Sequence, residues 1–128
     1  MTDLPRPSKF ELAILRVLWS RETATVRQIF EELQKERPLG YTTVLKTILI
    51  MLEKGLVVRD ESERSHIYRA TQKEQETQAS LLHDLVHRAF GGSAQKLVMA
   101  AIKEGALSLK EEVEIKALLE ASRKMRGK

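Results

Sequence analysis

Four times along this chain a Ser or Thr stands three residues before a Glu or Gln: Ser8–Glu11, Thr25–Gln28, Thr71–Glu74 and Ser108–Glu111. This is the spacing of a capping box. The first side chain accepts from the fourth residue's backbone N–H, and the fourth side chain reaches back to the first N–H. One match is weak evidence. Four matches, each before an apolar-periodic run, commit most of the chain to helices.

The starts and stops then predict helices over 8–20, 26–36, 41–54, 72–90, 94–104 and 109–123. Gly55 follows the third, where a helix end favours a left-handed residue; Gly91-Gly92 ends the fourth and Gly105 the fifth. Ser93 stands where it can cap the fifth, and the basic tail "RKMRGK" is expected to fray. Between the third and fourth helices lie "LVVRD" (56–60) and "HIYRA" (66–70), separated by "ESERS". Both runs are short and rich in β-branched or aromatic residues, so they read as a β-hairpin. The expected fold class is mainly α with a small β-hairpin (α+β). Three helices followed by a hairpin form a winged helix-turn-helix, here over 1–71. A helical dimerisation region follows over 72–128.

The third helix opens with "GYTTVLKT", crowding three threonines into its first turns although Thr is a mediocre helix former. Helical spacing puts Val44, Ile48, Met51 and Leu52 on one arc, with Tyr41 and Leu45 beside it; that arc is expected to face the core. Thr42, Lys46, Ile50 and Glu53 lie opposite, flanked by Thr43, Thr47 and Lys54. In a helix-turn-helix the N-terminal part of the second helix enters the major groove. A threonine there offers a hydroxyl to a base edge or phosphate and a methyl to thymine, while Lys46 can reach guanine or phosphate. Thr42, Thr43, Lys46 and Thr47 are therefore candidate DNA contacts.

Arg59, Arg64 and Arg69 lie on the hairpin, but Glu61 and Glu63 near its tip repel phosphate. The wing contact is expected to narrow to Arg64, Ser65 and His66. Ser8 and Lys9 at the first helix start, and Thr25 and Arg27 at the second, are further phosphate candidates, because helix starts favour anions. Net charge is +4, which suits a polyanionic partner. It does not locate a face, because 1–71 holds 12 Lys+Arg against 10 Asp+Glu and 72–128 holds 10 against 8.

The last three helices carry Leu81, Leu82, Leu85, Val86 and Phe90, then Leu97, Val98 and Ile102, then Val113 and Leu118. So short a helical region rarely builds a stable core alone, and packing against an identical copy solves the problem. These residues are the expected homodimer contacts. Trp19 reads as core. His83 and His87 have metal-compatible spacing but no third ligand, so a structural or surface role is favoured and no metal or other cofactor is expected.

The chain lacks cysteine, which excludes disulfides and thiolate metal sites. It has no Gly-rich phosphate loop, no H-E-x-x-H and no G-x-S-x-G, so it does not read as an enzyme. No apolar run is long enough to insert in a membrane and the N-terminus lacks secretory order, so a cytoplasmic location is expected. A helical protein-interaction adaptor and a directly ligand-sensing regulator are the alternative readings. Steep salt dependence separates DNA binding from the adaptor.

"ELAILRVLW", "GYTTVLKTILIMLEKGLV", "HIYRA" and "FGGSAQKLVMAAI", in this order and spacing, resemble the penicillinase-repressor family of bacterial transcription regulators over nearly the whole length. The resemblance implies a winged-helix repressor that binds an inverted-repeat operator in double-stranded DNA as a homodimer, with intertwined C-terminal helices. It places Thr42, Thr43 and Lys46 on DNA-facing positions and adds a membrane-bound sensor system as a candidate partner. Members controlling β-lactam resistance are inactivated by cleavage of an Asn-Phe bond in the fifth helix. Here Ala100 and Ala101 stand at the corresponding positions, which sets this chain apart from that switch. The absence of cysteine likewise excludes the thiolate copper sensing of another branch.

Overall fold

A computed structural model describes residues 6–127. The elements run α1 (Lys9–Arg21), α2 (Val26–Gln34), α3 (Tyr41–Lys54), β1 (Val57–Asp60), β2 (Ile67–Ala70), α4 (Glu74–Ala89), α5 (Ala94–Lys103) and α6 (Leu109–Arg126). Helix α6 continues past the expected Arg123, so the tail is helical to Arg126.

Three capping boxes close in both directions. Glu11 N donates to Ser8 Oγ at 3.2 Å and Ser8 N to Glu11 Oε1 at 2.9 Å. Thr25–Gln28 and Ser108–Glu111 do the same. The fourth does not form. The Thr71 hydroxyl donates instead to Gly55 O at 2.7 Å, and Thr71 N donates to Leu56 O. This ties the end of β2 to the end of α3, and α4 starts later, at Glu74.

Gly55 adopts φ 86°, and Leu56 N closes back on Met51 O at 2.9 Å. That left-handed residue reverses the chain from α3 into β1, at a φ few other residues tolerate. The strands pair antiparallel with Val57 opposite Ala70 and Asp60 opposite Ile67. Ala24, in the α1–α2 turn, adds a bridge to Tyr68: Ala24 N reaches Tyr68 O at 3.0 Å and Tyr68 N reaches Ala24 O at 2.8 Å. The hairpin is thus anchored to the helix-turn-helix by backbone bonds as well as by packing.

The chain divides into two compact units, the first ending at Leu81 and the second beginning at Leu82. The first runs beyond Thr71 because Trp19 Nε1 donates to Gln72 O at 3.0 Å and Thr77 is buried. Its core joins Ile14, Leu15 and Leu18 of α1, Ile29 and Leu33 of α2, and Val44, Ile48 and Met51 of α3 to Leu56, Val57 and Tyr68. Trp19 packs at the edge of this core, half-buried. In the second unit Val86 alone among the described residues is buried; α5 and α6 bury none. No helix among the described residues is long and apolar enough to cross a membrane.

Candidate nucleic-acid interface

Helix α3 turns Val44, Ile48 and Met51 fully inward, and this fixes what it shows to solvent. Thr42, Thr43, Lys46, Ile50 and Glu53 are all exposed, as the helical spacing predicts. Thr47 is half-buried, and its hydroxyl donates to Thr43 O at 2.8 Å. Its proton is therefore taken up by its own helix, which leaves its methyl and a lone pair as contact groups. Gly40, the residue before α3, provides no side-chain cap to the first N–H groups of α3.

Lys54, expected beside the outward arc, turns back to the buried Glu11, with Nζ 2.9 Å from Oε2. One carboxylate thus caps α1 and pins the end of α3. Burial pushes the Glu11 carboxyl up, but the Ser8 backbone N–H and the Lys54 ammonium outweigh it and hold it below its ordinary value.

A surface cleft of about 240 Å³ lies between the start of α2, the start of α3 and the wing. Thr25, Arg27, Arg64, Ser65 and His66 all line it, with Val26, Tyr41, Leu45 and Tyr68. Five sequence-nominated residues from two separate elements, the start of α2 and the wing, therefore meet at one place, with α3 contributing Tyr41 and Leu45. Ser8 and Lys9 do not join them. Lys9 lines a different depression with Arg16, Glu36 and Arg37. Of the other wing arginines, Arg59 is bound to Glu61, with Nη2 2.6 Å from Oε2. That pairing also offsets the acidity that Glu61 brings to the tip. Arg69 pairs opposite Val58 and lies away from the cleft.

Tyr41 departs from expectation. Helical spacing sets it beside the core arc, yet it is 39% exposed. Tyr41 instead meets Phe30 edge-on, with ring centroids 5.6 Å apart. The Arg27 guanidinium sits 5.3 Å from the Tyr41 ring centre and 5.9 Å from that of Phe30. The only available signal was the position of an aromatic residue at a helix start beside a nominated DNA-facing run.

Of the ten nominated dimer contacts Val86 is buried, while Leu82, Leu85, Val98, Ile102, Val113 and Leu118 are exposed, the last two at 70% and 68%. Leu97 and Phe90 are half-buried, and so is Leu81 at the end of the first unit. Ala100 and Ala101 lie inside α5, also half-buried. His83 and His87 lie with ring centroids 4.3 Å apart and planes tilted by 52°, and the described residues contain no group of three or more His, Cys, Asp or Glu arranged to hold a metal.

The solution structure of the DNA-binding domain of the repressor BlaI superposes with a TM-score of 0.52 at 22% identity, covering 59% of this chain and 93% of that one. The Bacillus licheniformis BlaI monomeric form in complex with the blaP half-operator superposes with the same values. The first unit is thus a winged helix-turn-helix. The transcriptional regulator BlaI of Mycobacterium tuberculosis is 32% identical over 105 residues, 81% of this chain and 76% of that protein. The penicillinase repressor of Staphylococcus aureus is 23% identical over 112 residues, 88% of this chain and 89% of its own. The penicillinase repressor family model matches residues 7–121, and the chain belongs to that family.

Proposed function

We propose that this protein is a cytoplasmic transcriptional repressor that binds an inverted-repeat operator in double-stranded DNA as a homodimer. The observation that carries the reading is the cleft. It gathers two arginines, a serine, a threonine and a histidine from the start of α2 and the wing beside α3, whose Thr42–Thr43–Lys46 face is exposed. Major-groove insertion of that face reads bases, and the cleft residues hold the flanking backbone. Ser8 and Lys9 serve as a separate backbone contact at the start of α1. Residues 1–71 form the DNA-binding domain and 72–128 the dimerisation region, where a second copy covers Leu82, Leu85, Val98, Ile102, Val113 and Leu118. A homodimer presents two α3 helices to two half-sites.

The experiment is genome-wide footprinting of DNA bound by the full chain, followed by titration of the recovered sites. Discrete sites with internal two-fold symmetry support the proposal. Enrichment no greater than that of a binding-dead Thr43→Asp, Lys46→Glu variant rejects it.

A further inference from the structure

We infer that Phe30 and Tyr41 are positioning residues that hold the Arg27 guanidinium across the cleft, so that one backbone phosphate of bound DNA is seated between Arg27 and Arg64. The inference deepens the DNA-binding reading and rests on it. The two rings meet edge-on at 5.6 Å, and the Arg27 cation lies within 6 Å of both centres. A ring face attracts a cation through its quadrupole but supplies no oxygen acceptor. A guanidinium fixed this way keeps its five N–H donors available in their fork geometry.

Arg37 is likewise set over a ring, 5.3 Å from the centre of Phe10, but it lines a different depression, and three further arginines meet carboxylates. Arg21 approaches Glu32, Arg59 binds Glu61 and Arg88 approaches Asp84. Arg27 and Arg64 have no carboxylate partner among the described residues, although both line the same cleft. Two uncompensated cations lining one concave site call for an anion, and the cleft volume of about 240 Å³ accommodates a phosphate. The rings matter because they reduce what Arg27 loses on binding. A solvated arginine must freeze its long side chain at that moment, whereas here packing has already ordered it. The same stack joins α2 to the first turn of α3, so the phosphate contact and the base-reading turn share one rigid element.

The test uses the full chain and a short random-sequence DNA duplex, because a phosphate contact is independent of sequence. Affinity is measured across a salt series for the wild type, Arg27→Gln, Tyr41→Leu, the double variant and Tyr41→Phe, with a circular-dichroism melt for each. Arg27→Gln should flatten the log–log salt slope by about one and raise Kd about tenfold at low salt. Tyr41→Leu should reproduce much of both effects while Arg27 is still present, and the double variant should add little to Arg27→Gln alone. Tyr41→Phe, which keeps the ring, should match the wild type. If Tyr41→Leu does not fold, Phe30→Leu takes its place. An unchanged slope in Arg27→Gln beside a steep wild-type slope overturns the clamp and leaves the DNA-binding reading standing. A Tyr41→Leu effect that adds fully to that of Arg27→Gln overturns the positioning role. A flat wild-type slope overturns both readings.

Discussion

The two units of this chain solve opposite problems. The first closes a core of thirteen buried residues drawn from three helices and the hairpin, and seals it with backbone bonds between Ala24 and Tyr68. The second has three capped or glycine-ended helical segments, yet among its described residues Val86 alone is buried. Both were written with similar local grammar. Capping boxes and apolar periodicity make helices in either unit. They do not by themselves make a core. That needs a second layer facing the first, and the second unit, taken by itself, lacks one.

The contrast can be broken most severely on the proposed dimer face. Leu85 is 48% exposed and Leu118 68%, so neither supports the fold of a single protomer much. Leu85→Asp with Leu118→Asp forfeits about 1.5–3 kcal/mol of burial at each site, before the cost of a buried charge is added. The dimer dissociation constant should rise at least a thousandfold, read by sedimentation velocity, while the melt of the first unit stays in place. Retention of a wild-type dimer would place the interface elsewhere.

Next in size is the mirror experiment. Ile29 is 0% exposed at the centre of the first unit. Ile29→Ala should cost about 2–5 kcal/mol in urea unfolding, through lost burial and the cavity left behind. Leu118→Ala should leave unfolding of the first unit unchanged. Equal effects from the two substitutions would mean that the units are not energetically distinct.

A smaller effect is expected on the exposed face of α3. Lys46→Ala should lower affinity for a recovered operator by about 1–3 kcal/mol and relax preference at one base position, if Lys46 meets a base edge. Arg64→Ala should instead weaken all sequences alike and flatten the salt slope. A Lys46 variant that altered the slope alone would move that residue into the backbone-contact class.

The smallest effect is pH-dependent and belongs to the first unit. Glu11 has its folded value held below the ordinary 4.5, by the Ser8 N–H and Lys54 acting against burial. A lowered carboxylate value means the unfolded chain binds the proton more readily. The contribution is therefore fully present above pH 4.5 and is lost as pH falls through the folded value. Lys54 is 36% exposed, so its share should stay below about 1 kcal/mol. Urea unfolding of Glu11→Gln should show a smaller loss of stability than the wild type between neutral pH and pH 3 to 4. Parallel losses would remove Glu11 from the account.

Much of this architecture was legible before any coordinates. Three capping boxes form as their spacing predicts, and the hairpin lies within the two β-rich runs. The fourth box failed because Thr71 had a competing acceptor, Gly55 O, brought near only by the hairpin. Spacing within one segment cannot report a bond across sixteen residues. Tyr41 departs from its helical spacing for a related reason. Helical periodicity assigns a face, but Phe30 and Arg27 of α2 cover Tyr41 only in part and leave it 39% exposed. The Arg27–Phe30–Tyr41 stack depends on how α2 meets α3, which neither helix encodes alone. The wing residues Arg64, Ser65 and His66 were nominated one by one, and only the fold set them against Thr25 and Arg27.

The most direct test of a homodimer reading an inverted repeat is a hydroxyl-radical footprint of the full chain on a recovered operator. Two protected patches related by a two-fold axis, on one face of the duplex and about 10 bp or a multiple of that apart, are the expected result. A single protected half-site at saturating protein would contradict it.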